Sequence, residues 1–212
     1  MVFDLDDTLY KEVDFLTSAY REIAGLAEAA GAPSDVFGQM LVWWQEGQNV
    51  FERLLSTYCL PQTVDDLLAV YRSHRPAIGL DEAVRSLLDR LHSLAVLGII
   101  TDGRSLTQRH KVEALGLTAF IDEQDILISE DTGYSKPSEE PFRRIMERYP
   151  SGTYYYIGDN PAKDFVAPNR LGWTTICLLD DGRNIHQQDF RLPQSQLPQY
   201  RISQLTEIKS II

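Results

Sequence analysis

The sequence predicts an α/β fold, a doubly wound parallel sheet with an all-helical segment inserted after its first strand. After residue 80, short apolar runs of strand length alternate with helical patterns, as in a parallel sheet covered on both faces. Between residues 10 and 78, helical patterns follow one another without a strong strand pattern. We therefore divide the chain into an α/β core, residues 1–9 and 79–212, and a helical cap, residues 10–78.

The elements are predicted in this order. The first strand is the apolar run at residues 1–3, and Gly31 and Thr63 mark a helix end and a helix start in the cap. Helices are predicted at residues 15–30, 35–45, 49–58, 64–74, 81–92, 106–115, 139–149 and 165–171. Later strands are predicted at residues 94–100, 126–128, 154–157 and 174–179. Residues 180–200 are expected to form a long loop, and 202–212 a last strand or helical turn.

The first strand is unusually short. Only Met1 to Phe3 precede Asp4, whereas a strand normally has about five or six residues. We expect either that the sheet tolerates a truncated strand or that Met1 is not the natural start. In both cases, apolar residues added upstream are expected to raise the thermal stability.

Composition excludes several function classes. The chain has 212 residues, a net charge of −11 and a pI near 4.8, which argues against a general nucleic-acid or anionic-membrane binder. Cys59 and Cys177 form no CxxC pair, and we expect two reduced, buried thiols in a cytoplasmic protein. No membrane helix or signal peptide is expected, because no apolar run approaches about 18 residues and no basic segment precedes one.

The stretch Asp4-Leu5-Asp6-Asp7-Thr8-Leu9 places three acids within four positions directly after an apolar run. Like charges this close repel one another, so the cluster is costly unless a cation lies among them. On an extended strand end, Asp4 and Asp6 point to the same side. Two convergent carboxylates suit a hard divalent ion and a phosphate, although an acidic turn would look the same in isolation.

Three further strand ends carry polar residues. They are Thr101-Asp102-Gly103, Lys136-Pro137 and the segment Gly158-Asp159-Asn160-Pro161-Ala162-Lys163-Asp164. Each alone is an ordinary turn or a solvated loop. In an open parallel sheet, however, ligands bind at the carboxyl ends of the strands, so the four ends together predict a phosphoryl-transfer site.

This ordered set of motifs resembles the haloacid dehalogenase superfamily of phosphohydrolases, over almost the whole chain from Phe3 to about Leu179. The insertion between the first two motifs resembles the family's all-helical cap, and the core its Rossmann-like domain. The resemblance implies Mg²⁺ as cofactor, held by the carboxylates of Asp4 and Asp159 and the backbone carbonyl of Asp6. Asp164 and Asn160 are expected not to bind the ion directly but to support its ligands, and Asp164 to orient Lys136 or metal-bound water.

The resemblance and the chemistry of the residues agree on the remaining roles. Asp4 is expected to attack phosphorus and form an aspartyl-phosphate. Asp6 is expected to protonate the leaving oxygen and then deprotonate the hydrolytic water. The hydroxyl of Thr101, the backbone around Asp102 and Gly103, and Lys136 are expected to hold the phosphate oxygens.

Asp6 favours phosphate-ester hydrolysis over dehalogenation, because an alkoxide leaving group needs a proton and a halide does not. A phosphomutase uses the same pair of acids and stays open as an alternative. A second class of hypothesis is a protein of this scaffold that binds phosphate or a partner without catalysis, against which the intact acid cluster argues.

The expected substrate is a small phosphorylated metabolite, either a sugar phosphate or a nucleoside monophosphate. In the cap, Arg21 and Arg53 are candidates for an acidic group and Trp43 for stacking on a sugar or base. The alternative for the aromatic residues is a small packed core of the cap itself. The sequence does not predict the oligomeric state.

Overall fold

The computed structural model describes all 212 residues, which form two compact units, residues 1–13 with 79–212 and residues 14–78. The strands of the first unit are β1 Val2–Phe3, β2 Gly98–Thr101, β3 Ile126–Ile128, β4 Tyr155–Gly158, β5 Thr174–Leu178 and β6 Tyr200–Ile202. The longer helices are α1 Glu12–Ala29, α2 Val36–Gln45, α3 Val50–Tyr58, α4 Val64–Ser73, α5 Glu82–His92, α6 Ser105–Ala114 and α8 Glu140–Arg148. Two short helices, α7 Ser129–Thr132 and α9 Val166–Arg170, complete the set. None of these helices combines the length and the hydropathy of a membrane-spanning segment.

All six strands run parallel in one sheet, in the order β3-β2-β1-β4-β5-β6. The predicted doubly wound α/β fold is therefore confirmed. The strand order extends from β1 in both directions, so the carboxyl ends of β1, β2 and β4 are neighbours. These three strands precede Asp4, Asp102 and Asp159, and the fold thus gathers the predicted motifs at one edge.

β1 occupies the centre of the sheet although only two of its residues pair with the neighbouring strands β2 and β4. Val2 lies opposite Gly98 and Tyr156, and Phe3 lies opposite Ile99 and Ile157. The ladder continues one step further, because the backbone N–H of Asp4 donates to the carbonyl of Ile157 at 2.8 Å. That hydrogen bond fixes the backbone of Asp4 at the sheet's carboxyl edge.

The predicted strand at residues 94–100 is wrong at its start, because β2 begins at Gly98. Leu94 and Val96 are 69% and 48% exposed instead of buried between layers. Pairing decides this boundary, since the ladder between β1 and β2 begins with Val2 opposite Gly98. A largely apolar cavity of about 830 Å³ lies at this end of the sheet.

The helical unit has its own aromatic core. Phe15 and Tyr20 of α1 pack against Tyr71 of α4, and Phe51 of α3 contacts both tyrosines, with ring centroids 5.4–6.4 Å apart.

The α4 helix begins with a capping box, in which the Thr63 side chain accepts from the N–H of Asp66.

One expectation about the cysteines is wrong. Cys177 is buried in β5, as expected, but Cys59 is exposed. Cys59 ends α3 in the left-handed region at φ +51°, so it lies at a helix terminus instead of on a packed face.

Candidate active site

Lys136 stands at the centre of the strand-end cluster. Its Nζ lies 2.8 Å from Oδ1 of Asp4 and 2.8 Å from Oδ1 of Asp164, and the lysine side chain is fully buried. Burial alone would lower the pKa of Lys136, but the negative charges of Asp164 and Asp4 outweigh it and raise that pKa well above its usual range. The lysine is therefore a permanent positive charge against Asp4.

Three buried carboxylates converge beside this lysine. Oxygen atoms of Asp4, Asp159 and Asp164 all lie within 4.8 Å of one another. Burial, with Asp164 and Asp4 nearby, raises the pKa of Asp159 to about 8. Burial also raises the pKa of Asp4 to about 6, although Lys136 opposes the shift. One ammonium in contact does not balance three carboxylates, and the cluster lacks positive charge.

The donor set fits a hard divalent cation. All three groups offer oxygen, which Mg²⁺ prefers, and no thiolate or imidazole competes among them. The two oxygens of Asp164 are already engaged, one by Lys136 and the other by the backbone N–H groups of Asp159 and Asn160 at 3.1 and 2.8 Å. Asp4 and Asp159 are thus the carboxylates best able to give an oxygen to an ion, while Asp164 orients the loop and the lysine.

Asp6 is held by three side chains. Its Oδ1 accepts from Lys111 Nζ at 2.6 Å and from the Tyr10 hydroxyl, and its Oδ2 accepts from Gln108 Nε2 at 2.9 Å. Burial would raise the pKa of Asp6, but the charge and hydrogen bond of Lys111, with the hydrogen bonds of Tyr10 and Gln108, bring it below its ordinary value.

The second strand end presents a hydroxyl and a glycine. Thr101 is buried at the end of β2, and its Oγ1 accepts from Gln108 Nε2 at 2.6 Å. Gly103 adopts φ +151°, and a Cβ there would lie 3.0 Å from Gln108 Cδ, so this turn favours glycine. Asp102 accepts from the backbone N–H of Lys136 at 3.0 Å, and so ties this turn to the lysine loop.

The loop after β5 closes against the acid cluster. Asn184 Nδ2 donates to Asp159 Oδ2 at 3.1 Å, and its Oδ1 accepts from Lys11 Nζ at 2.8 Å. The N–H of Ile185 donates to Asp7 Oδ2 at 3.0 Å, and Gln188 Nε2 donates to the carbonyl of Asp159 at 2.6 Å. This loop, predicted only as a long connection, therefore helps to hold Asp159 and with it the fourth motif.

The cap candidates are placed as follows. Trp43 is only 4% exposed, and its ring packs near Tyr58, which does not fit a stacking surface for a substrate. The guanidinium of Arg53 lies 5.7 Å from the Trp43 ring centroid. Arg21 is exposed and lies 4.4 Å over the ring of Phe37.

Sequence reasoning missed Tyr10, Gln108, Lys111 and Asn184. Gln108 and Lys111 lie three residues apart on α6, which begins directly after the second motif, and this spacing puts them on one helix face. That this face, with its amide and its ammonium, is buried is visible only in the structure, so the spacing alone did not mark it as part of the site. Nothing in the sequence marks Asn184, since only the loop path brings it to Asp159.

A Rossmann-like sheet with a lysine-bound carboxylate cluster at its carboxyl edge defines a hydrolase of the haloacid dehalogenase class. The family model for haloacid dehalogenase-like hydrolases matches residues 1–172, and the chain belongs to this family.

The individual relatives share less than 30% of their residues with this chain. A glyceraldehyde 3-phosphate phosphatase of Methanocaldococcus jannaschii is 28% identical over 236 aligned positions, which cover 100% of this chain and 96% of that protein. The pyrimidine 5'-nucleotidase YjjG of Escherichia coli is 28% identical over 130 positions, 60% of this chain and 54% of that protein. Among solved structures, the magnesium-bound putative hydrolase YfnB of Bacillus subtilis has a TM-score of 0.70 at 24% identity, over 99% of this chain and 96% of that one.

Proposed function

We propose that this protein is a Mg²⁺-dependent phosphatase that hydrolyses a small phosphomonoester through an aspartyl-phosphate on Asp4. The observation that carries the proposal is the contact of Lys136 Nζ with Asp4 Oδ1 at 2.8 Å beside a buried oxygen cluster. A nucleophilic carboxylate and a phosphate dianion repel each other; Lys136 supplies one opposing positive charge, and the oxygen cluster offers a place for a divalent cation to supply the rest.

In the first step, an oxygen of Asp4 attacks phosphorus while Lys136 and the hydroxyl of Thr101 hold the phosphoryl oxygens. Asp4 and Asp159, with the backbone carbonyl of Asp6, would hold the Mg²⁺ ion. When bound, the ion neutralises charge shared by the carboxylate and the phosphate. The backbone around Asp102 and Gly103 is expected to add donors to the phosphate site, and the N–H of Gly103, which here donates to Ser129 Oγ at 2.9 Å, would have to leave that partner.

Asp6 completes the chemistry. Because its pKa is below the ordinary value in the ligand-free protein, Asp6 takes up its proton as the phosphate ester binds beside it. It gives that proton to the leaving oxygen in the first step, and in the second it takes a proton from the water that attacks the aspartyl-phosphate. Its proximity to Gln108 and Thr101 supports this role, because the carboxylate then lies beside the predicted phosphate site.

The substrate we propose is a sugar phosphate or a nucleoside monophosphate. The names of the relatives support this class, since one acts on a triose phosphate and another on pyrimidine 5'-nucleotides. We also propose that the helical unit, residues 14–78, serves as the cap of the site.

The test measures phosphate release from a panel of phosphorylated sugars and nucleotides, with Mg²⁺ and with EDTA. We expect Mg²⁺-dependent hydrolysis by the wild type and a loss of at least about a thousandfold in Asp4→Asn. Asp89→Asn is the matched control, because Asp89 is exposed on α5. Hydrolysis that Asp4→Asn retains, or a wild type inactive on every ester with Mg²⁺, would contradict the proposal.

A further inference from the structure

We propose that Lys111, Tyr10 and Gln108 are positioning residues that select Oδ2 of Asp6 as its proton-transferring oxygen. The inference deepens the proposed function and rests on Asp6 acting as its general acid and base.

The first argument concerns Oδ1 of Asp6. A carboxylate oxygen has two acceptor sites, and here Lys111 Nζ at 2.6 Å and the Tyr10 hydroxyl occupy both. Lys111 is 3% exposed and Tyr10 7% exposed, so water does not readily replace either donor. A proton on Oδ1 would displace one of these hydrogen bonds, and Oδ1 is therefore the fixed end of the side chain.

The second argument concerns Oδ2. It accepts one hydrogen bond, from Gln108 Nε2 at 2.9 Å, which leaves one acceptor site for a proton. The same amide nitrogen donates its other hydrogen to Thr101 Oγ1 at 2.6 Å. Gln108 therefore places the free site of Asp6 beside the hydroxyl predicted to hold the phosphate.

This contact also orients Thr101. Because its Oγ1 accepts from Gln108, the hydroxyl hydrogen remains available to donate to a phosphoryl oxygen. Gln108 is 1% exposed, and the turn at Gly103 packs against its side chain. One amide thus couples the predicted acid–base group to the predicted phosphate donor.

The proton balance follows from this geometry. As the bond between phosphorus and the leaving oxygen breaks, the bond between Oδ2 and its proton breaks, and the proton passes to that oxygen. In the hydrolytic step, Oδ2 takes a proton from water as the water oxygen bonds to phosphorus, which restores the acid. Neither step needs a further reactant.

The leaving group distinguishes positioning from a merely structural role. An alkyl phosphate releases an alkoxide, which needs the proton of Asp6, whereas p-nitrophenyl phosphate releases a stable phenolate, which needs it far less. Loss of positioning should therefore slow the alkyl ester selectively, while general damage to the site should slow both esters equally.

The experiment compares kcat/KM for glycerol phosphate and p-nitrophenyl phosphate in Lys111→Met, Tyr10→Phe and Gln108→Met, with Lys111→Arg as the conservative variant. We expect the alkyl-to-aryl ratio to fall at least about tenfold in the first three and to recover partly in Lys111→Arg. Lys209→Met, which removes an exposed lysine near the C-terminus, should leave the ratio unchanged.

Equal losses on both esters in these variants would overturn the inference. Failure of the proposed function gives a different result, because the wild type itself would then fail to hydrolyse p-nitrophenyl phosphate. Should Lys111→Met not fold by circular dichroism, Tyr10→Phe decides the question, since it deletes a single hydroxyl, and an unchanged ratio in that variant overturns the inference.

Discussion

Lys136 Nζ lies 2.8 Å from Oδ1 of Asp4, and both side chains are buried. The lysine lies in the loop after α7, which follows β3, whereas Asp4 directly follows β1, two strands away in the sheet. The pair therefore exists only when β2 and β3 have assembled beside β1. This dependence links the charge balance of the site to the stability of the sheet.

Removing the lysine charge should destabilise the protein. In Lys136→Met, Asp4 and Asp164 lose their contact cation, and breaking a buried pair of this kind costs about 3–5 kcal/mol. We expect that loss in the free energy of unfolding measured with urea in EDTA. Lys163→Met is the control, because this lysine is one-third exposed and its distance to Asp102 is 3.5 Å. Equal stabilities of Lys136→Met and the wild type would contradict the prediction.

The stability of the metal-free protein should fall as the pH rises. The pKa of Asp159 is raised from 3.8 to about 8 and that of Asp4 from 3.8 to about 6. At a pH between the unfolded and the folded pKa of each group, the folded state therefore binds more protons than the unfolded chain. The stabilisation is present below about pH 4 and is lost as the pH rises to about 8. Chemical denaturation from pH 5 to 8 in EDTA measures this slope, which should be shallower in Asp159→Asn and when Mg²⁺ is added.

Gly158→Ala should impair the site through Asp164. A Cβ at Gly158 would lie 2.6 Å from Asp164 Oδ2 and 2.9 Å from its Cγ, so the carboxylate must shift away from Lys136 and from the N–H groups that it accepts. We expect kcat to fall at least about tenfold. Gly25→Ala, where a Cβ meets nothing within 4 Å, should retain full activity. Wild-type kcat in Gly158→Ala would exclude this role for Asp164.

Asn184→Leu should weaken metal binding. Asn184 donates to Asp159 Oδ2, and groups that orient a metal ligand change affinity by about 10–100-fold when lost. We expect a rise of that size in the Mg²⁺ concentration for half-maximal activity. Gln187→Leu, an exposed position in the same loop, serves as control. The same Mg²⁺ requirement in both variants would show that Asn184 does not orient Asp159.

An apolar extension of β1 should stabilise the protein. The cavity of about 830 Å³ is lined by Met1, Val96, Gly98 and Tyr154, at the end of the sheet where β1 starts. Burial lowers the pKa of the Met1 amine to about 6, so the charged amine is unfavourable there. We expect a short run of Val and Ile added before Met1 to raise the melting temperature, and a Gly-Ser extension of equal length to leave it unchanged.

Much of the fold could be read from local patterns. Apolar runs that alternate with helical periodicity predicted the parallel sheet, because burial on both faces requires that composition. The predicted start of β2 at residue 94 was wrong, because the boundary depends on the neighbouring strand and not on the residues of β2 alone. Leu94 to Leu97 are as apolar as a strand, but a strand exists only where a neighbour pairs: the first paired residues are Val2 and Gly98, and only the Met1 amine reaches further back, to the carbonyl of Val96 at 2.7 Å.

The sequence alone singled out the acids after β1 and β4 and the lysine, because residue chemistry and apolar runs are local properties, whereas Lys136 follows α7 instead of a strand end. The roles of Asp4, Asp6, Lys136 and Asp159 stay predictions. Only the tertiary structure brought Lys111 to Asp6 across 105 positions and Asn184 to Asp159 across 25. Such contacts depend on how α6 and the loop after β5 pack against the sheet, and packing arises from the whole chain at once.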